Sequence, residues 1–411
     1  MGNWIALGGA MAVVGALADA PGVLLIAALT IGYGSLTNVW SRFGMRRVEY
    51  TRTLGTKRAV AGDSVPLDIT VWNRKPLPLP WVTAEDRIGD ALIVRERPQM
   101  YRDDAPQQAL RLRNDWALAW YERVVRHFHL DDIRRGSYRF GPVDLRVRDV
   151  LGRMAVEDQV GRPDTLIVAP AMAAVRYAEH EMRPLGEHRA RRSLSVDPAL
   201  FAGVRPFQPG DSLRHVHWRA TARLGSTVTR RLEPARAREV VVVVDVQTTD
   251  GPSWLTWDED VFEDLNVIAA SVVRRLLADG ASVGLAAANY AGSPQKFAWL
   301  GPRASLAQLP RAGELLARIG PVPSASLTAL LGWLTRRVPP DAAIVLISAR
   351  HPHAHLSALR HLHRLGFGVE LVTTGPAAKG NASAARRARL RVKSGTVEPN
   401  WKDPDAVTLA P

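Results

Sequence analysis

Two uncharged apolar runs at the amino terminus constrain this chain more than any other feature. Residues 4–17 are apolar or small. Residues 23–40 are apolar apart from a few hydroxyls, one Asn and glycines, and Asp19-Ala20-Pro21-Gly22 separates the runs. As a helix the second run spans roughly 27 Å at about 1.5 Å per residue, close to the hydrocarbon thickness of a bilayer; the first is somewhat shorter. The spacing predicts a transmembrane helical hairpin over 1–44, with Trp4 and Trp40 near one interface. Arg42, Arg46 and Arg47 follow the second run, while the tip carries only Asp19. The positive-inside rule then puts the tip outside and the remainder in the cytoplasm, on the inner membrane. Two readings compete. Ala18-Asp19-Ala20 imitates a signal-peptide cleavage site, and an apolar helix also suits a soluble core. No basic residue precedes the first run and a second run follows directly, so the anchor is preferred.

Beyond the anchor, 411 residues call for two or three folded units, and 46% hydrophobic with 23% charged residues suffices for cores throughout. The absence of cysteine excludes disulfides, thiolate metal sites and a cysteine nucleophile. The net charge of +14, from 54 Lys and Arg against 40 Asp and Glu, suits nucleic acid or an anionic lipid surface. No nucleic-acid reading module is present, so no specific nucleic acid is expected. Phosphate loops, dinucleotide fingerprints and nucleophile elbows are also missing, and the chain reads as a binder rather than an enzyme.

From about residue 45 to 165 the pattern alternates. Val65, Leu67, Ile69 and Val71 fall on one face of a strand, as do Val124, Arg126, Phe128 and Leu130. Tyr138 and Phe140, then Val143, Leu145 and Val147, continue the period of two. Short strands separated by turn residues predict a β-sandwich. The stretch 73–80 holds three prolines and is not expected to be a central strand.

A connecting segment, 166–238, carries the most distinctive residues: Pro209-Gly210-Asp211, Arg214, His217-Trp218-Arg219-Ala220 and Ala222-Arg223. Upstream stand Arg135-Gly136-x-Tyr138-x-x-Gly141-Pro142 and Asp149-x-x-Gly152. In this combination the chain resembles the bacterial domain-of-unknown-function 58 family, often encoded beside MoxR-type AAA+ ATPases. Pro209-Gly210 suits a tight turn that Asp211 can cap, and Trp218 is a plate on which an arginine could stack. The segment serves either as a bracket between domains or as an anion- or partner-binding patch. His217 has no nearby nucleophile or carboxylate pair with which to work.

Residues 239–375 read as an α/β domain. The run 240–244 is continuously apolar and ends at Asp245. Val261, Phe262, Leu265, Ile268, Val272 and Leu276 then recur at helical spacing, and further strands are expected at 283–288, 342–348 and 369–373. Alternating strands and helices predict a doubly wound parallel sheet. The family resemblance implies a von Willebrand factor A-like domain, whose metal site uses an Asp-x-Ser-x-Ser loop, a threonine and a further aspartate. Here the loop reads Asp245-Val246-Gln247-Thr248-Thr249, Ser324 to Thr328 supply hydroxyls, and Ala349-Arg350 stands where an aspartate is implied. Asp245 and Thr249 are the remaining ligand candidates for Mg²⁺ or Mn²⁺. A single carboxylate beside an arginine is a poor hard-cation site, so no metal is expected. The edge that carries Thr248, Thr249, Trp254, Trp257 and Arg350 is instead the expected partner-binding surface, with a MoxR-type ATPase as the partner the resemblance implies. The alternative is a metal-dependent adhesion module or enzyme at Asp245. His351, His353, His355, His361 and His363 cluster without the spacing of a zinc helix. Residues 376–411 read as a flexible basic tail touching lipid.

Overall fold

The computed structural model describes residues 4–88, 92–95, 99–102, 110–148, 155–177, 196–208, 213, 216–234, 239–252, 255–289, 295–351, 353, 355–376 and 391–410. The chain divides into two compact units, Met1–Val168 and Ala169–Pro411.

The first unit opens with two helices, Trp4–Leu17 and Pro21–Phe43. Asp19 turns the chain at φ 50°, and Pro21 opens the second helix where its missing N–H costs nothing. The helices run back along each other, with Trp4 edge-on to Tyr33 at 5.6 Å. Pro21–Trp40 is long and apolar enough to cross a membrane, whereas Trp4–Leu17 is a shorter apolar helix.

The rest of this unit is β-structure. One sheet orders Val48–Leu54, Val65–Asn73, Arg123–Asp131 and Ile93–Val94. A second orders Ala155–Val160, Val143–Arg148, Leu79–Ile88, Leu110–Leu118 and Gln99–Arg102, and a small third joins Arg58–Val60, Asp164–Ala169 and Gly136–Phe140. The expected alternation appears in the burial of Val65, Leu67, Ile69 and Val71, which meet Val82, Leu112, Phe128, Leu145 and Leu166 in one core. Each such side chain contributes about 1.5–3 kcal/mol by leaving water.

Pro76 and Pro78 lie outside any strand, as expected of the stretch 73–80, while Pro80 falls at the irregular start of a strand, between the paired residues Leu79 and Val82. Leu79–Ile88 is the centre of the five-stranded sheet, bonded to Val143–Arg148 on one side and Leu110–Leu118 on the other. It buries Asp86, which accepts from Arg52 at 2.6 Å and from the Tyr50 hydroxyl at 3.0 Å. Burial pushes the Asp86 carboxyl up, and Arg52 opposes that shift.

The second unit is α/β. Its eight-stranded sheet runs Ala174–Tyr177, Ala406–Ala410, Arg391–Glu398, Gly368–Thr373, Ala343–Ser348, Glu239–Val244, Ser282–Ala287 and Ala298–Arg303. The five strands from Arg391–Glu398 to Ser282–Ala287 in that order are parallel. The run Val240–Val244 is divided between two faces. Val240, Val242 and Val244 pack with the helices Glu259–Ala278 and Gln308–Arg318, while Val241 and Val243 pack with Leu327–Leu334 and Leu356–Arg364. Such burial on both faces is why the run shows no alternation.

One expectation is corrected here. Part of the segment read as a flexible tail is sheet: Arg391–Glu398 pairs with Gly368–Thr373, and Ala406–Ala410 pairs with Ala174–Tyr177. Lys393 lies over the Tyr177 ring at 4.6 Å and pairs with Glu370 at 3.4 Å, so this basic residue serves the sheet rather than lipid. Val397, Val407 and Leu409 belong to the core, which a reading dominated by the surrounding arginines missed. Separate from this sheet, Val196–Pro206 and Val228–Pro234 form a two-stranded antiparallel ribbon.

Candidate binding site at the strand carboxyl ends

Strands Glu239–Val244 and Ala343–Ser348 are neighbours in register, Val244 opposite Ile347. The residues just beyond their ends therefore meet. The Asp245 N–H donates to the Ile347 carbonyl at 2.9 Å, which turns the Asp245 side chain towards the next residues of the partner strand. Its Oδ2 accepts from the Ser348 hydroxyl at 2.9 Å and from Arg350 Nε at 2.8 Å. The Arg350 N–H donates back to Ser348 Oγ at 3.2 Å. The carboxylate is 5% exposed and the guanidinium 13%. This is a nearly buried ion pair with hydrogen bonds on both members, the arrangement that lets buried charge persist.

A pocket of about 400 Å³ opens beside the pair, lined by Asp245, Gln247, Ser324, Ser326, Thr328 and Arg350 among others. Ser326 begins the helix Leu327–Leu334, its hydroxyl accepting from the Ala329 N–H at 3.2 Å.

The loop from Gln247 to Asp258 reaches the pocket through Gln247, and the polar side chains of its described residues hold the loop itself. Gln247 Nε2 donates to the Gly251 carbonyl at 2.9 Å, the Thr249 hydroxyl meets Thr256 at 3.0 and 3.1 Å, and Thr248 Oγ1 accepts from the Asp258 N–H at 2.9 Å. Asp258 in turn caps the helix Glu259–Ala278 through the Val261 N–H. Thr248, expected on the partner-binding surface, is thus buried with its hydroxyl taken up by the loop, and Thr249 is half-buried. Trp257 is exposed rather than local core, and Leu255 beside it is more exposed still. Trp254 lies outside the described residues.

These groups make a poor hard-cation site: Oδ2 of Asp245 already accepts from a guanidinium, the Gln247 Nε2 donates within the loop and the Thr249 hydroxyl meets Thr256. Among the described residues no three His, Asp or Glu side chains stand together as a metal group.

The histidines divide by environment. His351 Nδ1 is 2.5 Å from Asp250 Oδ2 at the surface, and His353, His361 and His363 are exposed. His355 is 1% exposed, with neither ring nitrogen hydrogen-bonded among the described residues. Burial drives its pKa down to about 4, while the charge of Asp245 pulls the other way. Nothing in the sequence separates His355 from the histidines clustered around it, since its distinction lies in what buries it.

Of the signature segment, Pro209, Gly210, Asp211 and Arg214 lie outside the described residues, as do Asp149 and Gly152. His217 caps the helix Trp218–Leu224 by accepting from the Ala220 N–H at 3.1 Å, which gives it a structural task. Trp218, Arg219 and Arg223 are exposed on that helix. The upstream motif is structural as well. The Tyr138 hydroxyl donates to the Arg134 carbonyl at 2.8 Å, and a Cβ on Gly136 would come within 3.2 Å of the Tyr138 ring. Gly141 takes φ 73°, a conformation that favours glycine, directly against the Arg52 guanidinium.

The fold and site define a chain with an apolar helix at its start, a β-rich unit and an α/β unit whose strand ends carry a closed ion pair. Residues 203–380 match the family described as protein of unknown function DUF58, in agreement with the resemblance carried by the signature segment. The uncharacterized protein YeaD of Bacillus subtilis (strain 168) is 24% identical over 254 residues, 59% of this chain and 56% of that protein. The chain therefore spans little more than half the length of that relative.

Among solved structures, similarities cover about a third of the chain or less. A CARDB domain from Pyrococcus furiosus is 12% identical, with 29% of this chain and 91% of that one covered at a TM-score of 0.20. A Clostridium perfringens cohesin module is 9% identical, covering 29% and 96% at 0.21. Domains D2 and D3 of the Corynebacterium diphtheriae pilin SpaD are 10% identical, covering 32% and 56% at 0.23. Similarities this slight carry no argument about this chain.

Proposed function

We propose that this chain is a membrane-anchored, cytoplasm-facing scaffold or adaptor. In this reading the α/β unit is von Willebrand factor A-like and docks a protein partner at the carboxyl ends of its sheet, in the assembly or maturation of other proteins. The observation that carries the reading is the Asp245–Arg350 pair. It sets a guanidinium where a cation-dependent site would need an open carboxylate, beside a pocket and in the same α/β unit as the exposed Leu255 and Trp257 of the loop that follows Asp245. In doubly wound sheets that end of the strands is where ligands bind, and tryptophan and arginine recur as interface hot spots.

Support for the anchor comes from the first two helices, whose outward side chains, among them Leu17, Leu25 and Leu29, are apolar and exposed. Two such helices make an inner-membrane hairpin with the body on the arginine-rich, cytoplasmic side. The partner's identity, a MoxR-type AAA+ ATPase, rests on the family resemblance alone.

The test is binding between the full chain in lipid nanodiscs and the purified MoxR-type ATPase encoded nearest to it, with and without nucleotide. A saturable complex supports the reading, and no complex in either state removes the proposed partner. Calorimetry of the same sample with Mg²⁺ and Mn²⁺ decides the metal-dependent alternative. A saturable micromolar site lost in Asp245→Ala would favour that alternative.

A further inference from the structure

The ribbon formed by Val196–Pro206 and Val228–Pro234 carries at its turn the short helix Trp218–Leu224, none of whose residues is buried. Trp218 is 67% exposed, Leu224 61% and the preceding Leu213 68%. The helix is nevertheless held firmly. The His217 N–H donates to the Val228 carbonyl at 2.9 Å, and Thr221 Oγ1 accepts from the Val228 N–H at 3.1 Å. Thr221 therefore marks the face turned to the ribbon. At about 3.6 residues per turn, Arg219 and Arg223 fall on the opposite face, flanked by Trp218 on one side and Leu224 on the other. Between Asp211 and Glu233 the sequence holds Arg214, Arg219, Arg223, Arg230 and Arg231 and no acidic residue. A short exposed helix with a cationic stripe between an indole and a leucine suits a fluid layer of phosphates over hydrocarbon, where arginine meets headgroups and tryptophan sits at the boundary.

We propose that the tip of this arm, formed by Leu213, Trp218, Arg219, Arg223 and Leu224, binds the surface of an anionic lipid bilayer. The inference rests on the anchoring reading, because a chain tethered by its first helices holds the arm near the membrane at high effective concentration, where a weak contact suffices.

The cysteine-free sequence allows a single label. The full chain carrying Leu224→Cys, modified with an environment-sensitive fluorophore, is reconstituted into nanodiscs of phosphatidylcholine alone or of an equal mixture with phosphatidylglycerol. The expected result is a blue-shifted emission quenched by lipid-borne nitroxide in the anionic discs only, lost in the Arg219→Ala/Arg223→Ala background and at high salt. Unshifted emission in the anionic discs, or an equal shift in both compositions, overturns the proposal. Should the chain fail to enter discs at all, the anchoring reading fails, and co-sedimentation with vesicles of the anionic mixture tests the arm by itself. Sedimentation that depends on Arg219 and Arg223 supports the proposal, and sedimentation that is absent or independent of them overturns it.

Discussion

Arg350→Ala strikes the candidate site at its most constrained point. The substitution removes the Nε donor 2.8 Å from Asp245 and leaves a carboxylate that is 5% exposed with the Ser348 hydroxyl as its remaining side-chain donor among the described residues. Breaking a buried pair by deleting one partner costs about 3–5 kcal/mol, because the other charge stays behind uncompensated. The pocket beside Asp245 gives water a route to the carboxylate, which places the cost near the lower limit, about 3 kcal/mol. In a unit of this size each kcal/mol lowers Tm by about 2–4 °C, so the transition of the α/β unit should fall by roughly 6–12 °C. Adding Asp245→Asn should recover most of that loss, since no charge then remains to be solvated. Differential scanning calorimetry of wild type, both single variants and the double variant reads the cycle. If Arg350→Ala lowers Tm by no more than an exposed Arg→Ala change, or if the two substitutions simply add, the pair is not the closed element argued here.

His355 makes the same region acid-sensitive. Its native pKa of about 4 lies below the ordinary value of 6.5, so the unfolded chain binds the proton first. Stability should be full above pH 6.5 and decline towards pH 4 by up to about 1.4 kcal/mol per pH unit. Tm measured across that range should flatten in His355→Phe. Asp264 behaves in the opposite sense. Burial, with Asp260, Asp258 and Glu263 nearby, raises its carboxyl to about 6, so its charged form is a cost at neutral pH. Asp264→Asn should raise stability at pH 7.5 by on the order of 1 kcal/mol, discounted for partial exposure, and the gain should vanish as pH falls towards 4. Removal of residues 1–44 should move the chain from the membrane pellet to the soluble fraction. Protease added outside intact cells should leave the full-length body uncut.

Legibility in the sequence followed from how each element is buried. Val65–Asn73 announced itself by alternation because one face meets the core, and Glu239–Val244 by an unbroken apolar run because both faces do. Leu79–Ile88 was hidden by Pro80 and by Glu85-Asp86, which become tolerable only when Arg52, Arg111 and Arg146 arrive from other strands. Arg391–Glu398 was hidden by the basic residues around it. At the site, Ala349-Arg350 where the resemblance implies an aspartate was visible in the sequence, but the pairing of Arg350 with Asp245 depends on the register of two strands about a hundred residues apart. Thr248 read as a surface hydroxyl because nothing local revealed that it accepts from the Asp258 backbone.

The central claim is that a partner docks at the carboxyl ends of the sheet, and site-specific photo-crosslinking tests it most directly. A benzophenone amino acid placed in turn at Leu255, Trp257 and Asp341 reports from the exposed loop after the strand Glu239–Val244 and, for Asp341, from the exposed approach to the amino end of the strand Ala343–Ser348. With the MoxR-type ATPase and full chain in nanodiscs, the account predicts crosslinks from positions 255 and 257 and none from 341. Crosslinks from 341 with silence at 255 and 257 would contradict it.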